Sequence, residues 1–76
     1  MQKTDLAYDY SGRALAKGDT VSTLSGDMTG RISDLASEDD TCFVRLRPVH
    51  QPYGRGTWYA ADRLVYLASS QRRRRS

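Results

Sequence analysis

The sequence predicts a small all-β domain, and three observations lead to this prediction. The chain has 76 residues and a mass of 8.6 kDa, which is the size of one small domain. Its β-rich segments are short, alternate apolar with polar side chains, and are separated by turn-forming residues. No segment repeats apolar residues at helical spacing. Because an open sheet of this size would expose long unpaired edges, we expect five strands closed into a barrel.

The first half of the predicted barrel contains two strands, each preceded by a turn. A turn signal at 17–19 precedes a strand over 20–24, and a second turn at 25–27 precedes a strand over 28–35. Gly30 lies inside this second strand, where a glycine usually marks a bulge or a sharp bend. The sequence therefore predicts an irregularity at that position.

The third strand, 41–47, has the clearest alternation and follows a predicted solvated acidic loop at 36–40. One of its faces is expected in the core and the other in solvent. The predicted inner residues are Cys42, Val44 and Leu46, and the predicted outer residues are Phe43, Arg45 and Arg47. Pro48 is expected to end the strand, because proline cannot donate a hydrogen bond to a neighbouring strand.

The rest of the barrel is predicted from shorter segments. A loop over 49–55 leads to an extended segment over 56–60, a single helical turn over 61–64 and a last strand over 65–67. Trp58 is expected in the core, because a barrel this small needs the bulk of its ring.

Two segments lie outside the predicted barrel. Residues 1–16 are expected to form an N-terminal arm or an extra strand, because apolar and polar residues alternate around Tyr8. Residues 69–76 lose apolar content and are expected to be a flexible, disordered basic tail. The barrel itself is assigned to residues 17–68.

The positive charge of the chain is concentrated in that tail. The formal net charge is +3, but residues 72–75 are four consecutive arginines. Without them, eight basic residues stand against nine acidic residues, so the body of the chain carries a net charge of −1. Four adjacent cations favour sequence-independent contacts with phosphates, although a solubilising segment without a partner would have the same composition.

Several classes of protein are not predicted. No apolar run approaches the roughly 18 residues that span a bilayer, and the N-terminus lacks the apolar stretch of a signal peptide. One cysteine, Cys42, excludes an internal disulfide and indicates a cytoplasmic location. Together with His50 it is too little for a zinc site. His50 has no partner at a recognisable catalytic spacing. Cys42 is expected on the inner face of its strand, whereas a reactive thiol needs exposure and a cationic neighbour. We therefore expect no enzyme activity, no cofactor, no metal and no membrane partner.

The order of these elements resembles that of SH3-like barrels, in particular KOW-type domains and bacterial SH3-like modules. The resemblance covers about fifty residues and is carried by Lys17-Gly18-Asp19-Thr20-Val21, Gly30-Arg31-Ile32, Phe43-Val44-Arg45-Leu46 and Asp62-Arg63-Leu64. It implies a small binding module, with nucleic acid or a ribonucleoprotein as the expected partner.

Two further resemblances are shorter. The segments 6–10 and 15–19 are similar to the opening of eukaryotic SH3 domains, in which tyrosines help to line a groove for proline-rich peptides. The segments 18–21 and 58–64 are similar to type II plasmid dihydrofolate reductase, a tetramer of small SH3-like barrels. In that family a glutamine precedes the active-site tyrosine by two positions, and here Thr57 takes its place.

The candidate binding residues combine aromatic rings with guanidinium groups. Such a set stacks bases and pairs with phosphates, and it also suits a protein interface. The predicted site comprises Phe43, Arg45, Arg47, Tyr53, Arg55, Tyr59, Arg72, Arg73, Arg74 and Arg75. We therefore expect a nucleic-acid-binding module. The alternatives are a protein-interaction or self-assembling module and an oligomeric enzyme similar to the folate reductase.

Overall fold

The computed structural model describes residues 2–49 and 54–68, and their regular structure consists of strands and one 3₁₀ turn. The strands are β1 (Gln2–Lys3), β2 (Ala7–Tyr8), β3 (Ala14–Leu15), β4 (Thr20–Thr23), β5 (Thr29–Glu38), β6 (Thr41–Pro48), β7 (Thr57–Ala60) and β8 (Leu64–Ala68), and the 3₁₀ turn is Ala61–Arg63. The all-β prediction is confirmed. In the described part of the chain, no helix has the length and apolar character needed to cross a membrane.

The strands form one large antiparallel sheet and one small hairpin. The order in the large sheet is β7-β6-β5-β4-β8, and β1 also pairs with β5. Strands β4 to β7 each pair with their neighbour in sequence, whereas β8 returns to the far side and pairs with β4. Strands β2 and β3 form the separate hairpin. The single 3₁₀ turn between β7 and β8 redirects the chain towards β4.

The connection between β5 and β6 is much tighter than the sequence predicts. The acidic loop expected at 36–40 is absent, because β5 continues to Glu38, which pairs with Thr41. Only Asp39 and Asp40 form the turn, with φ angles of 53° and 66°. Two central residues with positive φ match the right-handed twist of a hairpin, and short polar side chains tolerate this conformation better than bulky ones. The acidic composition therefore marks a two-residue turn.

The irregularity in β5 is three residues beyond Gly30. The register of β5 against β6 shifts between Ile32 and Asp34, which leaves Ser33 as the extra residue of a bulge. The hydroxyl of Ser33 donates a hydrogen bond of 3.3 Å to the carbonyl oxygen of Arg45. At Gly30 a Cβ atom would lie 2.7 Å from the carbonyl oxygen of Arg47. Gly30 is therefore required by close backbone approach, and the prediction of a bulge at that position is corrected.

The core lies between the inner face of the large sheet and the N-terminal hairpin. Val44 and Leu46 of β6 are fully buried and Cys42 is half-buried, which confirms the alternation predicted for this strand. The buried cluster contains Ala7, Leu15, Val21, Ile32, Leu35, Val44, Leu46, Ala61 and Leu64. Each fully buried large aliphatic side chain contributes about 1.5–3 kcal/mol.

The N-terminal segment is part of this packing. Strand β1 pairs with β5, and the hairpin β2–β3 places Ala7 and Leu15 in the common core. Leu6, Tyr8 and Tyr10, which alternate with buried positions, are exposed to solvent. Because the intervening residues Ala7 and Asp9 are buried, the alternation along this stretch exposes the residues on either side of them.

A buried carboxylate joins the hairpin to β8. Asp9 is only 4% exposed, and its side chain accepts hydrogen bonds from the backbone N–H groups of Ser11, Arg13 and Tyr66 at 2.8–2.9 Å and from the Ser11 hydroxyl at 2.8 Å. Burial alone would raise the pKa of Asp9, but these hydrogen bonds outweigh burial and hold the pKa below its ordinary value. The guanidinium carbon of Arg13 also lies 4.1 Å from the centre of the Tyr66 ring.

Candidate functional site

The predicted binding residues of β6 lie on the side of the large sheet that faces away from the core. We call this side, across β5, β6 and β7, the outer face. It carries Arg31, Asp34, Phe43, Arg45, Arg47 and Trp58. The pairing register arranges most of these residues in two rows across the strands. Arg31 stands opposite Arg47 in one row, and Asp34, Arg45 and Trp58 are partners in the other.

Arg45 occupies the centre of the second row, between a carboxylate and an indole ring. One of its guanidinium nitrogens, Nη1, lies 3.6 Å from Oδ2 of Asp34. Its Cζ lies 4.9 Å from the centre of the Trp58 ring, within the range of a cation–π contact. The side chain of Arg45 is only 29% exposed. The Arg45 side chain is therefore held in place by Asp34 on one side and by Trp58 on the other.

Trp58 is not a core residue, and the prediction that placed it there is corrected. It pairs directly with Arg45, and opposed residues in an antiparallel pair share one face of the sheet. The core is filled instead by aliphatic side chains and by Tyr59, which packs against them. Trp58 as a residue is half-buried, so part of its surface remains accessible to a ligand.

Asp34 is a shared counterion for three cations. Its Oδ1 lies 3.9 Å from Nζ of Lys3 and 3.8 Å from Nζ of Lys17, in addition to the contact with Arg45. All three distances exceed the 2.7–3.2 Å typical of a hydrogen bond. Loose, partly exposed ion pairs of this kind contribute about 0–1 kcal/mol. One carboxylate therefore balances three cations only in part.

The first row consists of two cations. Arg31 and Arg47 are exposed, stand directly opposite each other, and would destabilise the sheet through like-charge repulsion. Within residues 2–49 and 54–68, no carboxylate lies at ion-pair distance from either guanidinium group. The register therefore places two cations without a described carboxylate partner opposite each other on the outer face.

A groove of about 580 Å³ adjoins this arginine pair. It is lined by Gly18, Arg31, Ile32, Ser33, Arg47, Pro48 and Val49. The turn that contains Gly18 forms one rim and is fixed to β5 by two backbone hydrogen bonds. The N–H of Gly18 donates to the oxygen of Ile32 at 2.8 Å, and the N–H of Ile32 donates to the oxygen of Asp19 at 2.9 Å. The groove is thus a property of the folded backbone as well as of the side chains.

The structure brings together part of the predicted site. Phe43, Arg45 and Arg47 share the outer face, as β6 alternation predicts. Arg55 is exposed and lies near the Arg47 end of β6, because its neighbour Gly56 is so close to this strand that an added Cβ would collide with the carbonyl oxygen of Leu46. Tyr53 and Arg72, Arg73, Arg74 and Arg75 lie outside the described residues.

Tyr59 is not on the outer face. It pairs with the buried residue Val44, packs against the core, and its hydroxyl lies 2.9 Å from the sulfur of Met28. Since Tyr59 follows Trp58 in the same strand, the two rings must point to opposite faces. The sequence-based assignment of Tyr59 to the binding set, and of Trp58 to the core, has the two faces of β7 interchanged.

Three residues of the outer face were missed from the sequence: Arg31, Asp34 and Trp58. The alternation of the second predicted strand does place Arg31 on the polar side, but only the hairpin register shows that it faces Arg47. Asp34 reaches the outer face because the bulge at Ser33 shifts the alternation by one residue. Recognition of Asp39 and Asp40 as a two-residue turn would have predicted the register of β5 against β6.

Cys42 lies on the inner side of β6, away from the outer face. It packs half-buried against the core, and its thiol lies 3.6 Å from the carbonyl oxygen of Leu6. Among the described residues, no cluster of histidine, cysteine, aspartate and glutamate could hold a metal ion. His50 lies outside the described residues.

Comparison with known proteins adds no further information about the site. No family model, no curated protein and no solved structure matches this chain. The function is therefore inferred from the outer face and from the chemistry of its side chains.

Proposed function

We propose that this chain is a non-enzymatic binding module of the SH3-like barrel type, and that its outer face binds nucleic acid, alone or in a ribonucleoprotein. The observation that carries the proposal is the cross-strand pair of Arg31 and Arg47, which has no carboxylate partner among the described residues. A sheet that keeps two like charges opposite each other loses stability. An anionic ligand removes this repulsion.

The proposed architecture is supported by the path of the chain. Four consecutive strands, β4 to β7, pair in sequence, a 3₁₀ turn follows, and β8 returns to pair with β4. This return places the last strand, β8, beside β4, the first strand of the series, which is the arrangement expected of a small barrel.

Charge segregation supports nucleic acid as the ligand. The body of the chain has a net charge of −1, yet Lys3, Lys17, Arg31, Arg45 and Arg47 lie on or beside the outer face with the carboxylate of Asp34 among them. The acidic residues Asp39 and Asp40 lie at the distal β5–β6 turn. Guanidinium groups suit phosphates because their planar donors pair with two oxygens at once.

The aromatic rings favour nucleic acid over a purely anionic protein partner. Phe43 and Trp58 share the face with the arginines, and ring faces next to cations stack on bases. The arginines at 72–75 add sequence-independent affinity in this proposal, while the outer face discriminates between ligands.

Fluorescence anisotropy with labelled DNA and RNA oligonucleotides tests the proposal. The full chain is titrated at about 50 mM and about 200 mM salt, and we expect binding that weakens steeply as salt rises. Two variants are titrated in the same way. One is a chain that ends at residue 71, and the other is the full chain with Arg47→Gln. Arg63→Gln is the matched control, because it removes the same charge from an exposed position on the 3₁₀ turn. Absence of binding at the lower salt concentration would overturn the proposal.

One observation favours a second candidate, a protein-interaction or self-assembling module. Leu6, Tyr8 and Tyr10 expose 55%, 48% and 68% of their surface at alternate positions along one stretch of chain. Exposed apolar groups in a contiguous stretch often mark interfaces. Sedimentation velocity over a range of concentrations tests self-assembly. If the chain is a monomer at every concentration, self-assembly is excluded.

A further inference from the structure

We propose that the outer face selects single-stranded nucleic acid, with a phosphate in the groove beside Arg31 and Arg47 and an unpaired base stacked at Arg45 and Trp58. The inference rests on the proposed function and divides the outer face into two subsites of different chemistry.

The first row has the properties of a phosphate subsite. Arg31 and Arg47 both line the groove, and Asp34 does not. Their guanidinium groups have no ion pair within the described ranges, so their charge is available to a ligand. Pro48 and Val49 also line the groove and contribute apolar atoms to its wall. A phosphodiester fits this site because two arginines together donate to several of its oxygens.

The second row has the properties of a stacking subsite. The charge of Arg45 is already partly balanced by Asp34, 3.6 Å away, so Arg45 competes less well for a phosphate than Arg31 or Arg47. Its guanidinium plane and the indole of Trp58 lie together at 4.9 Å. Both groups are flat and stack on bases without a sequence requirement.

The requirement for an accessible base face selects the strandedness of the ligand. Arg45 and Arg47 are two residues apart on β6, a distance of about 6.6 Å along a strand. A ligand that fills both subsites must present a phosphate and the face of a base within this short distance. In a duplex the base faces are covered by their stacked neighbours, whereas a single strand can turn a base outward. The outer face is therefore suited to a single strand.

Salt dependence distinguishes the two subsites experimentally. We measure the full chain against a single-stranded oligonucleotide of about 12 nucleotides at several salt concentrations. For Arg31→Gln and Arg47→Gln we expect weaker binding and a slope of log K against log salt that is smaller by about 0.7 for each phosphate that the variant no longer binds. For Trp58→Leu we expect a roughly 5- to 150-fold loss of affinity with the slope unchanged. Arg63→Gln should leave both quantities near those of the unsubstituted chain.

Two ligand controls require no variant and so do not depend on the folding of Trp58→Leu. A duplex of the same length should bind the unsubstituted chain less tightly than the single strand. A single strand with abasic sites should bind the unsubstituted chain roughly 5- to 150-fold less tightly than the intact strand. Equal binding of duplex and single strand, or of abasic and normal strands, would overturn this inference while leaving nucleic-acid binding intact. No binding of any strand at low salt would overturn the proposed function itself.

Discussion

Asp9 accepts a 2.8 Å hydrogen bond from the backbone N–H of Tyr66, fifty-seven residues further along the chain. This bond connects the β2–β3 hairpin to β8, the strand that returns to β4. The same carboxylate also holds the hairpin turn through Ser11 and Arg13. Asp9 is thus a structural acid that joins two parts of the molecule and has no place in the proposed binding site.

Substitution of Asp9 should destabilise the fold. In Asp9→Ala the backbone N–H groups of Ser11, Arg13 and Tyr66 lose their acceptor, and partly buried donors without partners are costly. We expect a decrease of about 3 kcal/mol in the free energy of unfolding, measured by urea denaturation. Asp5→Ala, at an exposed position, is the control and should change stability by about 0.5 kcal/mol or less. Equal stability of the two variants would contradict this role of Asp9.

The stability contributed by Asp9 should depend on pH in a defined direction. Because the pKa of Asp9 is lower in the folded state than its ordinary value, the unfolded chain binds the proton more tightly. The stabilisation is therefore complete above the ordinary aspartate pKa of about 3.9 and is lost as the pH falls through the folded-state pKa. Urea unfolding of the unsubstituted chain and of Asp9→Asn between neutral and acid pH should show their difference shrinking at low pH. A constant difference would contradict the prediction.

The β5–β6 turn offers a stabilising substitution. Asp40 adopts a φ of 66°, a conformation that glycine reaches without the steric penalty of a side chain. We expect Asp40→Gly to raise the free energy of unfolding by about 0.5–1 kcal/mol, since an Asp-Gly pair is favoured in turns of this type. Gly26→Ala tests the reverse case and should be destabilising, because Gly26 has a φ of 81° although a Cβ there would meet no atom within 4 Å. Thermal unfolding followed by circular dichroism measures both.

Neutralising Asp34 should strengthen the binding of nucleic acid. Asp34→Asn removes the counterion shared by Lys3, Lys17 and Arg45, so these cations become available to phosphates. We expect tighter binding at low salt and a steeper salt dependence, by about 0.7 in the slope for each cation that gains a phosphate. Stability should change by about 1 kcal/mol or less, because the ion pairs are long and partly exposed. Asp62→Asn, an equal charge change at an exposed position on the 3₁₀ turn, should leave the slope unchanged.

The alternation of β6 was predictable because it depends only on local sequence. Val44 and Leu46 are apolar and Arg45 and Arg47 are charged, so one orientation of the strand buries far more apolar surface than the other. For β7, assigning Trp58 to the core by its bulk gave the wrong face, because Trp58 and its neighbour Tyr59 are both large and aromatic. Their faces are decided by the register against β6, which places Trp58 opposite Arg45.

The arginine pair depends on information that is distributed over the hairpin. Arg31 meets Arg47 because the turn uses only Asp39 and Asp40 and because one residue, Ser33, bulges out of the pairing. A longer turn or a regular strand would shift Arg31 relative to Arg47. The composition of residues 36–40 predicts an acidic segment but not the backbone angles of its turn. The sequence therefore indicates cations on β5 and β6 without indicating which of them are paired across the strands.

The pairing of β8 with β4 determines when the protein can complete its fold. Residues 64–68 supply the partner of β4, and Tyr66 supplies a hydrogen-bond donor to Asp9 at the other end of the chain. During synthesis the β4–β5–β6 strands can pair as they emerge, but the N-terminal hairpin lacks this anchor until residue 66 has left the ribosome. Contacts between such distant residues form slowly, because a long loop must close before they give any stability. The sheet and the Asp9–Tyr66 connection are therefore completed only when residues 64–68 are in place, and a chain interrupted before β8 would expose the edge of β4 to other strands.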